Sequence, residues 1–202
     1  MTALLLPTLP RKSPTELRRA LDRVIEAALS DAAAPAGVRS VSGRLPSLGH
    51  LREGQDALRR DPDSVDARSQ RALLECALVV ASADRLTAEE QSALESLFEH
   101  VLGDPAVGEL VETLRAELDG RSIEDNLSRI AAELSGFEQR ERALSFAALA
   151  AIADRELAEP EADRLLDLGA RFGFGVGEVQ RLVDRVAKAL RQALLATDAA
   201  NH

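Results

Sequence analysis

The stretch Leu74-Glu75-Cys76-Ala77-Leu78-Val79-Val80-Ala81-Ser82-Ala83-Asp84-Arg85-Leu86 decides the fold, because most of its pattern is written a second time. Leu74, Ala77, Ala81, Ala83, Asp84 and Arg85 match Leu144, Ala147, Ala151, Ala153, Asp154 and Arg155 at a constant offset of 70 positions. Past the loop the offset becomes 71, and Leu86, Glu90, Leu94 and Leu97 match Leu157, Glu161, Leu165 and Leu168. Each half is an apolar Ala/Leu helix, then Ala-Asp-Arg, a short loop, and a helix with Glu in its first turn. Ala and Leu coincide cheaply in this composition, but the Asp-Arg pair and the Glu at nearly equal spacing do not.

The rest of the composition agrees with helices. Of 202 residues, 35 are Ala and 33 are Leu, against four Ile and five Phe, with no Trp or Tyr. Straight-chain helix formers therefore outweigh β-branched and aromatic residues. No segment alternates with period two for long enough to be a strand, so an all-α bundle with short connections is expected. The missing aromatics argue against base stacking. The net charge of −9 is unevenly spread, with +3 on residues 1–50 and −12 on residues 51–202. An acidic body repels phosphate backbones, so no nucleic-acid partner is expected.

Punctuation divides the chain. Ser13-Pro14-Thr15-Glu16 opens a basic amphipathic helix over 14–33, followed by a Pro/Gly/Ser linker over 34–47 and a weak helix over 48–60. Residues 1–62 thus read as a basic N-terminal arm, 63–196 as the helical bundle and 197–202 as a flexible tail. Within the bundle, helices are predicted over 64–83, 87–102, 104–118, 122–134, 135–153, 159–172 and 176–196. Thr87 with Glu90 reads as a capping box, Ser122 as an N-cap and Gly173 as a C-cap. No apolar run spans a bilayer, and the short run Leu4-Leu5-Leu6 precedes its basic residues, unlike a signal peptide. The cytoplasm is the expected compartment.

An Ala-rich helix, Ala-Asp-Gly, about five residues and then Glu, occurring twice in an all-helical domain, is the pattern of the TerB-like family, and residues 64–196 resemble it. The stretch Ala153-Asp154-Arg155-Glu156-Leu157-Ala158-Glu159-Pro160-Glu161, followed by Leu165, Leu168 and Phe172-Gly173, is the better match. Its counterpart from Ala83 to Glu90 is one residue shorter. The resemblance implies a bundle of about seven helices with a pseudo-twofold axis. It also implies an acidic surface that binds a divalent cation such as calcium or magnesium, and a setting linked to tellurite and general stress. A related domain precedes the J-domain of some co-chaperones, but no His-Pro-Asp tripeptide occurs here.

The candidate cation ligands are Asp84, Glu90, Asp154 and Glu161. Hard oxygen donors on both sides of a helix–loop–helix suit calcium or magnesium. The same carboxylates serve equally to tie the corner: an acid in the first turn of a helix meets the positive end of its dipole, worth ~0.3–1 kcal/mol. A third reading rests on Arg85 and Arg155, which stand where the family has Gly. There each guanidinium neutralises the neighbouring acids and takes the place of an ion. A left-handed backbone at those positions costs a non-glycine residue about 1 kcal/mol.

Nothing else in the chain carries chemistry. Cys76 is alone and inside an apolar run, which predicts a buried thiol. His50, His100 and His202 have no ligand spacing. Phe172-Gly173-Phe174-Gly175-Val176-Gly177 follows a helix, not a strand, so it is no dinucleotide loop. The expectation is a non-catalytic, stress-associated TerB-like module that binds a protein partner or a second copy of itself, with divalent-metal sensing at the two acidic loops. The alternative is a structural adaptor that docks on a larger assembly, or peripherally on a membrane, through its basic N-terminal arm.

Overall fold

The computed structural model describes residues 4–30, 65–102 and 107–199. Among these there are eight helices and no strand. They are α1 (Pro14–Ser30), α2 (Val65–Ala81), α3 (Ala88–Leu102), α4 (Gly108–Asp119), α5 (Ile123–Glu133), α6 (Phe137–Ala151), α7 (Glu159–Phe172) and α8 (Val176–Ala199). The protein is an all-α helical bundle. The linker over 34–47, the weak helix over 48–60, the Asp104-Pro105 start and the tail beyond residue 199 lie outside the described residues.

Local chemistry sets the helix ends. At the start of α1 the Ser13 N–H donates to Glu16 Oε2 at 3.0 Å and the Glu16 N–H donates back to Ser13 Oγ at 3.4 Å, a reciprocal capping box. Ser122 caps α5 by accepting the Asp125 N–H at 3.1 Å. Gly173, at φ +87°, closes α7 in the left-handed region, and the Phe174 N–H reaches Gly169 O at 2.8 Å. Helix α2 stops at Ala81 and α6 at Ala151, two residues short of the predicted ends at Ala83 and Ala153.

The two Ala-rich helices, α2 and α6, pack on each other more extensively than any other pair. Their apolar residues are buried nearly all round: Leu74, Ala77, Leu78 and Val80 on α2, and Leu144, Ala147, Ala148 and Ala151 on α6. Small side chains let the helix axes approach closely over the whole contact. Around this centre α3 packs on α2 and α6, while α7 packs on α6 and α2, so α3 and α7 each touch both central helices. The outer layer also includes α4, α5 and α8.

The N-terminal helix belongs to the same core, which changes the division drawn at residue 62. Leu17, Ala20, Leu21, Val24 and Ile25 of α1 are buried, and α1 packs on α3 and α8. Each large apolar side chain so buried contributes about 1.5–3 kcal/mol before entropy is counted. Arg18 crosses to α3, donating to Ser92 Oγ at 3.1 Å and pairing with Glu99 at 2.9 Å. Ahead of α1, Leu4 and Leu9 are buried, and the Gln180 amide on α8 grips both main-chain groups of Leu5 at 2.8 Å. The basic segment is docked on its own acidic body.

Candidate functional site

The two hairpin corners, α2–α3 and α6–α7, hold the four predicted acids. At the first corner Thr87 and Glu90 form the expected capping box. The Thr87 N–H and Oγ1 donate to Glu90 Oε2 at 2.6 and 2.8 Å, and the Glu90 N–H returns to Thr87 Oγ1 at 3.2 Å. At the second corner the Ala158 N–H donates to Glu161 Oε2 at 2.9 Å, the same third-residue reach without a hydroxyl to reciprocate. Both glutamates are 3% exposed, so the local corner-tying role is real at both.

The fold brings Glu90 and Glu161 together. Their carboxyl groups are within hydrogen-bonding reach of each other, and Asp154 lies close enough to act on both electrostatically. Burial, and then the Glu90 carboxyl, push the Glu161 carboxyl far above the usual glutamate range. Burial likewise raises Asp154, against the lowering effect of the Glu156 N–H that its Oδ1 accepts at 2.9 Å. Asp84 stands apart: it is exposed and turned onto its own loop, where it accepts the Arg85 N–H.

The two arginines do not neutralise these acids. Arg155 has a left-handed backbone, at φ +77°, but its guanidinium donates to Lys12 O at 3.4 Å and to Asp154 O at 3.2 Å. Arg85 stays at negative φ. Among the described residues neither side chain forms an ion pair with the four acids. The charged side chains that act on Asp154 and Glu161 are acidic: Glu90, Asp154, Glu156 and Glu89.

The cation implied by the resemblance does not fit this donor set. Calcium takes about six or more oxygens and magnesium a near-ideal octahedron. Here each glutamate commits one oxygen to a capping N–H, and Asp84 turns away. Among the described residues no three His, Cys, Asp or Glu side chains are grouped to hold a metal ion. Glu161 Oε1 is left buried without a hydrogen-bond donor, beside Glu90.

A second charged cluster escaped the sequence. Glu75, fully buried on α2, sits between Arg71 Nε at 2.9 Å and Arg129 Nη2 of α5 at 2.7 Å, and Arg71 also pairs with Glu117 of α4. Burying this carboxylate is tolerable because two guanidiniums surround it. The one visible signal is an acid within an apolar run, four residues after an arginine. The adjacent Cys76 is buried as predicted, and burial followed by the Glu75 charge pushes its thiol strongly upward. A thiol held neutral in this way is a poor nucleophile. His100 is part of α3, with Nδ1 at 2.8 Å from Ser96 O; His50 and His202 lie outside the described residues.

The surface carries one aromatic contact. Phe137, 61% exposed at the start of α6, stacks on Phe174 with centroids 5.0 Å apart, and Val176, two residues on, is 45% exposed. Among the described residues no helix is long and apolar enough to cross a membrane. Compared with known proteins, the chain matches no protein-family model, no curated protein and no solved structure.

Proposed function

We propose that the chain is a non-catalytic, TerB-like interaction module, and that the exposed Phe137, packed on the buried Phe174, together with Val176 at the N-terminal ends of α6 and α8, is where a protein partner binds. The observation that carries this reading is the exposure of Phe137 in a chain with only five aromatic residues. An exposed aromatic with an apolar neighbour is the usual anchor of a protein contact. The likeness to TerB is supported by the doubled Ala-rich hairpin and by the meeting of its two acidic corners. A role in tellurite resistance or general stress is what that likeness implies, and it would be exercised through the partner.

The adaptor reading, in which the N-terminal segment does the docking, has less behind it. The apolar stripe of α1 lies in the chain's own core, and Arg18 is engaged by Glu99. A photo-reactive residue placed in the full chain at Phe137, at Val176 or at the exposed Arg19 separates the two in the native cell. Adducts with one discrete protein at the first two positions are expected. Adducts at Arg19 alone move the function to the N-terminal segment, and no adduct at any position contradicts both readings.

A further inference from the structure

Oε2 of Glu90 is held by Thr87 and Oε2 of Glu161 by Ala158, so both side chains are fixed in place at the starts of α3 and α7. The remaining oxygen of Glu161 has no donor, is buried, and belongs to a carboxyl in hydrogen-bonding reach of Glu90. Two ionised carboxylates are acceptors only and cannot bond to each other. The oxygen is satisfied when a proton lies between the two groups.

Among the described residues neither glutamate forms an ion pair with a basic side chain. The charged groups that act on Glu161 and on Asp154 beside it are acidic. Arg155 donates to two main-chain carbonyls. On the helices packed against α3 and α7, Arg18 of α1 is paired with Glu99, Arg68 of α2 with Glu133, Arg71 of α2 and Arg129 of α5 with Glu75, Arg142 of α6 with Glu138 and Arg185 of α8 with Glu141, while Arg140 of α6 donates to the carbonyls of Leu134 and Phe172. Arg121, just beyond α4, has Glu117.

We propose that Glu90 and Glu161 share one proton, so that a carboxylic acid–carboxylate hydrogen bond, in place of a bound cation, joins the N-terminal ends of α3 and α7 and with them the two hairpins. Like charges held this close do not both ionise, and the proton is retained by the pair, not by either residue. The Glu161 carboxyl is pushed up to about 9, by burial first and by Glu90 next. The folded protein therefore keeps a proton that the unfolded chain releases near the ordinary glutamate value of about 4.3. The stabilisation is complete below that value and is lost as pH rises toward about 9.

Thermal unfolding of the full chain between about pH 5 and about pH 9, in chelator and with added calcium, magnesium or zinc, tests it. The variants are Glu161→Gln and Glu90→Gln, whose amides supply an N–H without needing a proton. The wild type is expected to lose roughly 5 °C or more of Tm across this range. Each glutamine variant should lose less than half as much, and the divalent ions should change none of the three. Infrared spectra of the wild type give a readout that needs no variant: a protonated-carboxyl band is expected at neutral pH. The proposal is overturned by parallel pH profiles, by the absence of that band, or by a divalent ion that raises the Tm of the wild type but not of Glu161→Gln.

Discussion

The corner at 84–90 and the corner at 154–161 begin alike, with Ala-Asp-Arg, and end alike, with a buried Glu in the first turn of a helix. Between those points they differ by one residue, and the fold absorbs that residue in two places. Arg155 adopts a left-handed backbone at φ +77° where Arg85 does not. The half-buried Asp154 accepts the Glu156 N–H and lies close enough to act on Glu161, while Asp84 is exposed and accepts the Arg85 N–H. The lesson is that a repeated sequence need not give a symmetric site. One inserted residue is enough to place a single aspartate beside the glutamate pair, which leaves too few oxygens for a metal ion and too many negative charges to go without a proton.

The helices after the corners diverge in the same way, and their packing gives the largest test. Phe98 on α3 is fully buried, and the position matching it on α7 is Gly169, where an added Cβ would collide with Val179 of α8. Phe98→Ala should cost about 3–5 kcal/mol of stability by leaving a cavity. Gly169→Ala should cost about 1–3 kcal/mol by overpacking. Urea unfolding measures both, and a neutral Gly169→Ala would mean that α7 and α8 are not held at this close approach. The two corner arginines give a smaller difference. Arg155→Gly should fall within about 0.5 kcal/mol of neutral, since the strain of about 1 kcal/mol relieved at φ > 0 offsets the looser unfolded chain. Arg85→Gly should destabilise by about 0.5–1 kcal/mol, because it only loosens the unfolded chain. Equal effects at the two positions would erase the difference between the corners.

Much of the architecture is written locally and was readable from the residues. The capping pairs Ser13–Glu16, Thr87–Glu90 and Ser122–Asp125 lie three residues apart, and Gly173 ends its helix by its own freedom of φ. The offset of 70 to 71 picked out the two corner glutamates that the fold brings together. What the sequence hid depends on contacts between distant parts. The Gln180 grip on Leu5 joins residues 175 apart, and no local pattern announces it, so a helix that completes the core read as a separate arm. The Glu75–Arg129 pair bridges two helices in the same way. The side-chain directions of Arg85 and Arg155 were equally out of reach, because the neutralising role that their position suggested requires knowing where each guanidinium points.

The most direct measurement follows the side-chain carboxyl carbon of Glu161 by NMR in the full chain as pH is raised, with Glu90→Ala beside it. A shared proton predicts a Glu161 midpoint far above the ordinary value of about 4.3, falling back when the Glu90 carboxyl is removed. A midpoint near the ordinary value in the wild type, or one that Glu90→Ala leaves unchanged, would contradict the joining of the two hairpins through this pair.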